Sequence, residues 1–331
     1  MQGLEKIIYY HLVKYDFKRH LLPLQQDFTI FLFFKNMNQY VSYRNLRFLL
    51  HEVLNASSVL KKYDYYQDYD QEAYDMAMDA VKQIADTQLF PYLKEMDRYK
   101  VTVADGTVHV HPQLKNVIQS LAQGGWIAAH ASYEKGGSQM PLVLMNSGLF
   151  ALYSANINTA YAFLTTGAAN LISTFGSEAL QAAFVPEMYS GNWQGTMALT
   201  EPQAGSSLSD VVTSAELRED GSYAIKGQKI YISGGDHDCV ENVVHLLLAR
   251  IKGAPAGTKG ISLFVVPKKR LEDGAYRSND VTTAGVYGKM GQKNYVAAHL
   301  MFGEKDDCQG YLVGQEHKGL SYMFQMMNEA R

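Results

Sequence analysis

Two neighbouring stretches, MALTEPQAGSSLSDVVTSA (Met197 to Ala215) and DGSYAIKGQKIYISGGDHD (Asp220 to Asp238), decide how the chain is read. In the first, a strand pattern ends at Thr200, Pro202 fixes the exit, and Ala204-Gly205-Ser206-Ser207 makes a loop of small residues. Such a loop offers hydroxyls and approachable backbone N–H groups, because glycine removes bulk and the amides donate hydrogen bonds. It suits a large planar or anionic ligand. In the second stretch, alternation along a strand puts Tyr231 and Ser233 on one face. An ordinary hairpin is the bland alternative.

Working outward, short β-patterns follow from about Thr196: VVTSAEL, SYAIK after Asp220-Gly221, QKIYIS after Lys226-Gly227, ENVVHLLLARI, GISLFVVP and VAAHLMF. Strands separated by glycine turns predict a mainly antiparallel sheet or small barrel. Upstream the texture is helical. LRFLLHEVL (Leu46 to Leu54) and the positions Tyr74, Ala77, Met78, Val81, Ile84, Ala85 and Leu89 follow the helical period. Asp105-Gly106 marks a turn between two β-prone pieces, and Pro112 opens a helix bearing Leu114, Val117, Ile118 and Leu121. Met140 to Ser190 reads as helices broken at Gly167, Gly176 and Gly191.

The last segment places Leu320, Met323, Phe324 and Met327 on one helical stripe, with no stop signal before Arg331. The expected fold class is therefore α+β and multidomain: an N-terminal α-helical domain, then a mainly antiparallel β-sheet or barrel domain, then the first turns of a third element. The expected division is an unmatched extension over 1–36, a short helical segment over 37–68, a helical domain over 69–195, a β domain over 196–310 and a truncated third element over 311–331. Residues 1–36 are dense in Tyr, Phe and His, and Met37 is the expected natural start.

The composition excludes several classes. The 331 residues make room for about two domains. A net charge of -3 gives no strong overall positive field for nucleic acid, which leaves only a local basic patch open, and Cys239 and Cys308 form no CxxC pair. The apolar run Phe28 to Phe34 is far shorter than the ~20 residues that span a bilayer. No membrane span, nucleic-acid partner or metal site is expected, and a reducing cytoplasm is the default. No G-x-G-x-x-G or G-x-S-x-G is present, and Gly253-Ala-Pro-Ala-Gly257-Thr-Lys-Gly260 lacks the spacer and hydroxyl of a phosphate loop. His109 and His111 read as a solvated strand edge, and Asp236-His237-Asp238 as a polar turn, rather than as metal ligands.

The two opening stretches resemble the flavin-binding signature of the acyl-CoA dehydrogenase family, in which Thr-Glu-Pro-x-Ala-Gly-Ser-(Asp) precedes Gly-x-Lys-x-(aromatic)-Ile-(Thr/Ser). Gly124 to Trp126, EKGGSQMP (Glu134 to Pro141) and Phe175 to Pro202 are similar to elements of its helical domain. LRFLLHEVL and SGGDHD resemble a longer branch, the one that includes 3-methylmercaptopropionyl-CoA dehydrogenase. The resemblance implies FAD, an acyl-CoA substrate, electron-transfer flavoprotein as partner, and a homo-oligomer when full length. It places Met197, Ala198, Leu199 and Thr200 along the isoalloxazine, Gly205 and Ser206 at the flavin pyrophosphate and thioester ligand, and Tyr231, Ile232 and Ser233 over the ring. Ser206, Asn328 and Arg331 would meet the acyl-CoA.

Three departures stand out. Ser207 replaces the usual Asp, Asn328 replaces a common Asp, and Lys293, Asn294 and Tyr295 replace a Gly/Ser-rich turn, which questions the substrate side. Glu201 belongs by resemblance to the structural Thr-Glu-Pro turn, so it is set aside as catalytic base. The resemblance also implies a C-terminal helical bundle that carries the family's base; this bundle is expected to be missing here, beyond Arg331, leaving the chain with half of the cofactor site. Rival readings are an acyl-CoA oxidase and a non-catalytic or DNA-associated flavin-fold relative.

Overall fold

Ser42 opens the first helix by accepting a hydrogen bond from the Asn45 amide, the capping that frees a helix of an orphan donor. In this computed structural model residues 40–330 are described; the sequence readings for residues 1–36 and for Arg331 lie outside them. Residues from Ser42 onward form one compact unit. Helix α1 (Tyr43–Phe48) runs into a wide π turn at Leu49–Val53, so LRFLLHEVL is helical but not uniform. After α2 (Ala56–Leu60), Asp70 caps α3 (Gln71–Ile84), which buries Tyr74, Met78 and Val81 as the period requires. Arg47 bonds Asp75 and Asp79, and His51 bonds Asp75, joining α1 to α3.

Beyond α4 (Leu93–Arg98), β1 (Thr102–Ala104) and β2 (Thr107–His109) form a hairpin. Asp105 and Gly106 both take positive φ, the geometry that matches strand twist in a two-residue turn. Pro112 sits just before, rather than within, α5 (Gln113–Gln123), whose Leu114, Val117, Ile118 and Leu121 are buried. Helices α6 (Leu142–Ala155), α7 (Ala160–Phe175) and α8 (Glu178–Tyr189) complete this layer. The expected break at Gly167 is absent, because Gly167 lies inside α7. A Cβ there would stand 3.1 Å from Met326 Cγ, so this glycine serves close helix packing and not a turn. The chain breaks instead at Asn156, whose side chain accepts from the Asn158 amide.

Strand β3 (Trp193–Ala198) then enters the sheet parallel to β6 (Asn242–Ile251). The remaining strands are β4 (Ser214–Leu217), β5 (Tyr223–Ser233), β7 (Ile261–Pro267), β8 (Lys269–Glu272), β9 (Ala275–Ser278), β10 (Val281–Val286), β11 (Ala297–Phe302) and β12 (Gln309–Leu312). Pairings of β5 with β12, β12 with β7, β7 with β6, β6 with β4 and β4 with β5 close a small barrel. Tyr223, Ile225, Leu247 and Phe264 are among the buried residues of its core. The expected turn at Lys226-Gly227 is not there; β5 runs through it. Gly227 marks the change of neighbour, its flanks pairing with β4 on one side and β11 on the other. A Cβ on it would come within 2.5 Å of Thr213 Oγ1.

Helix α9 (Gly319–Ala330) packs on α7 and β7. Its buried hydrophobic side chains include Met323 and Met326, while Phe324 is exposed and Leu320 and Met327 are half-buried. The buried stripe is thus rotated from the expected one, because Gly167 admits Met326. No described helix is long and apolar enough to cross a membrane.

Candidate functional site

Strand β3 delivers the first group of sequence-predicted residues. Met197 is half-buried, whereas Ala198 and Leu199 are buried in the sheet's core side. The Thr200 carbonyl accepts a hydrogen bond from the Ile230 amide at 2.9 Å, which sets the first stretch directly beside Tyr231 of the second. Glu201 and Ala204 exchange backbone bonds across the Pro202 turn, and the chain then emerges with Gly205, Ser206 and Ser207 all exposed. A Cβ on Gly205 would meet nothing within 4 Å, so the loop backbone is open to a ligand. Ser207 Oγ lies 2.8 Å from Ser209 Oγ, and Ser209 donates to Asp210, so hydroxyls replace a carboxylate at the head of this loop.

The loop is held from beneath by a charge. Lys229 Nζ lies 2.7 Å from Glu201 Oε1 and also donates to the Leu199 carbonyl. Glu201 accepts further bonds from the Val212 and Thr213 amides and from Gln203. Burial raises the Glu201 pKa, but the Lys229 ammonium and these donors outweigh it, leaving the carboxyl below its ordinary value. Burial pushes Lys229 down to about 8 against the opposing pull of Glu201. A carboxylate so fully engaged holds the turn and has no lone pair free to take a substrate proton. The structural role expected for Glu201 fits these bonds, and Lys229, its partner, was not singled out in the sequence.

Tyr231 owes its position to a bulge. In the β5–β11 register Ala298 faces Ile232 and Leu300 faces Lys229, so β5 carries one extra residue. Tyr231 takes the left-handed φ of 57° there, a strain of roughly 1–3 kcal/mol for a residue with a side chain. Its ring is 58% exposed and leans on Tyr287 at 4.2 Å between centroids. Tyr287 in turn lies near-parallel to His299, which bonds Gln228. Ser233 is exposed on the same side as Tyr231, but Ile232 points into the core and is not brought to that surface.

The substitutions at Lys293, Asn294 and Tyr295 lie in a loop tied to the helical layer. Asn294 is fully buried, accepts from the His111 amide at 2.8 Å, and donates to Asn158. The Tyr161 hydroxyl donates to the Asn294 carbonyl and accepts from the Val296 amide, and the Tyr161 ring packs edge-on against Tyr295. Asn294 and Tyr295 therefore fasten the β10–β11 loop to the helices, while Lys293 is exposed.

Asn328 is exposed on α9. Beside it Glu329 bonds Asn170, which also bonds His130 and Tyr189, a polar cluster that no sequence spacing announced. His109 bonds Asp238 and His111 bonds Glu95, while Asp236 is held by Lys268. Among the described residues no cluster of three or more metal-ligating side chains occurs.

Comparison with known proteins gives these features a family. Residues 71–192 match the description acyl-CoA dehydrogenase, N-terminal domain, and residues 196–304 match acyl-CoA dehydrogenase, middle domain. A butyryl-CoA dehydrogenase of Syntrophomonas wolfei is 36% identical over 301 residues, covering 87% of this chain and 49% of that protein. A 3-methylmercaptopropionyl-CoA dehydrogenase of Ruegeria pomeroyi is 40% identical over 230 residues, 69% of this chain and 39% of that protein. The solved acyl-CoA dehydrogenase of Bacillus anthracis complexed with FAD shares the fold, with a TM-score of 0.62, 23% identity, and 79% of this chain and 40% of that chain covered. The chain spans about half the length, or less, of these two curated relatives. A helical layer followed by a β-rich domain with a barrel, matched in that order by two successive domain descriptions, shows that the chain belongs to the acyl-CoA dehydrogenase family.

Proposed function

We propose that this chain forms the flavin-facing part of an FAD-dependent acyl-CoA dehydrogenase, an oxidoreductase that introduces an α,β double bond into an acyl-CoA thioester. The junction of Thr200 with Ile230-Tyr231 carries the reading, because it joins the small-residue loop to an exposed aromatic ring. The residues present fit FAD: open amides and hydroxyls at Gly205 and Ser206 suit a diphosphate, and a strained, exposed Tyr231 offers a wall for a flat ring system. When bound, FAD supplies the hydride acceptor.

In this reading Met197 and Thr200 border the ring, the Thr200 hydroxyl bonds its polar edge, and Ser206 bonds a phosphate or the thioester ligand. The buried Ala198, Leu199 and Ile232 act from behind by shaping the wall. Glu201 holds the turn and leaves proton abstraction to another carboxylate. Family resemblance supports contact of Asn328 and Arg331 with the acyl-CoA. Family membership supports electron-transfer flavoprotein as partner and homo-oligomeric assembly, for which exposed Phe48, Leu49, Val53 and Leu54 are suited, while a cytoplasmic setting rests on the unpaired cysteines alone.

The test is a titration of the purified chain with FAD, following flavin fluorescence and melting temperature. Saturable quenching with a raised melting temperature is expected. A chain that leaves FAD fluorescence and its own melting temperature unchanged overturns the reading. Anaerobic addition of butyryl-CoA or 3-methylmercaptopropionyl-CoA then reports the substrate class.

A further inference from the structure

The Gly253 to Gly260 loop joins β6 to β7 and presents its backbone in the sense opposite to a phosphate loop. A phosphate loop aims amides at an anion. Here the Pro255 and Gly257 carbonyls aim at a cation, accepting from Arg250 Nη1 at 2.6 and 3.0 Å. The other terminal nitrogen of Arg250 donates to the Ser209 carbonyl at 3.1 Å, in the loop that begins at Gly205. Arg250 itself is rooted in β6, where its amide bonds the Thr213 carbonyl.

Two glycines make the clasp geometrically possible. Gly257 has φ of +74°, which turns its carbonyl toward the guanidinium without strain. A Cβ on Gly260 would lie 1.8 Å from the Pro255 oxygen and 2.6 Å from Arg250 Nη1. Among the described residues no carboxylate pairs with Arg250, so its charge is met by carbonyl dipoles alone and still adds to the field over the hydroxyl loop.

We propose that Arg250 is a positioning residue that registers the Gly205–Ser209 loop against the β6–β7 loop, building one cradle for a diphosphate-bearing ligand. The ligand half of this inference rests on the flavin and acyl-CoA reading above; the clasp does not. A planar fork reaching carbonyls of two loops holds geometry as well as charge, which a lysine ammonium would not reproduce.

The test uses the full chain with Arg250→Met and Arg250→Lys. Hydrogen exchange on the ligand-free protein is expected to show the Asp210 and Val211 amides, bonded to the Ser207 and Leu208 carbonyls, losing protection about tenfold in both variants at little cost in melting temperature. Separate titrations with FAD and with CoA distinguish the two sources of diphosphate, and about tenfold weaker binding of either by both variants is expected. Unchanged exchange over residues 204–211 in Arg250→Met overturns the proposal, as does full recovery of affinity in Arg250→Lys, which would make the role one of charge alone. A wild-type chain that binds neither ligand defeats the functional reading, while the exchange result still decides whether Arg250 positions the loop.

Discussion

Lys229 Nζ and Glu201 Oε1 lie 2.7 Å apart, and neither side chain reaches solvent. The pair bridges the Thr-Glu-Pro turn to β5 at the residue where the Tyr231 bulge begins, so one ion pair sets both halves of the proposed flavin wall. Removing one partner strands a buried charge. Lys229→Met is therefore expected to cost ~3–5 kcal/mol in unfolding free energy, measured by urea denaturation.

Acid should loosen the fold before the carboxylates protonate. His237 and His245 are buried, and burial lowers their pKa values from 6.5 to about 4 and about 3. Below pH 6.5 the unfolded chain binds protons that the folded chain refuses, so stability falls as pH drops toward those values. At ~1.4 kcal/mol per unit, the loss reaches several kcal/mol by pH 4. Glu201, held below its ordinary value, adds its own loss at still lower pH. Melting temperatures between pH 7 and 4 should decline steeply, and His245→Gln should flatten the decline.

Tyr231 trades stability for surface. Tyr231→Gly relieves the left-handed strain but loses the Tyr287 contact, worth ~0.5–1.5 kcal/mol. Net stability should change by no more than ~1 kcal/mol, while FAD affinity falls. Parallel denaturation and fluorescence titration check the two effects separately.

Asn294 belongs to the fastening of the β10–β11 loop, so Asn294→Ala should orphan the buried His111 amide and cost ~1–3 kcal/mol. Thermal unfolding measures this. A larger effect on acyl-CoA affinity than on stability would return these positions to the substrate side.

Much of the architecture was legible because it is locally encoded. The Asp105-Gly106 hairpin, the α5 stripe and the β6 and β7 strands follow from turn chemistry and hydrophobic period. The small-residue loop was legible as an exposed loop for the same reason: Gly205 and the serines are exposed where a loop between strands must be. Gly167 and Gly227 misled because a glycine that ends an element and one that lets two backbones approach look alike in sequence. The fastening role of Asn294 and Tyr295 was not legible because their partners, His111, Asn158 and Tyr161, come from distant helical-layer sequence.

Strand alternation alone puts Lys229, Tyr231 and Ser233 on one face. The sequence by itself therefore determined the strand, the loop beside it and the family they resemble. Only the tertiary structure decided that Lys229 turns inward and Tyr231 outward. Pairing with β11 admits one extra residue into β5 and reverses the parity, and the buried Glu201 provides the partner without which an inward lysine would be too costly to keep charged.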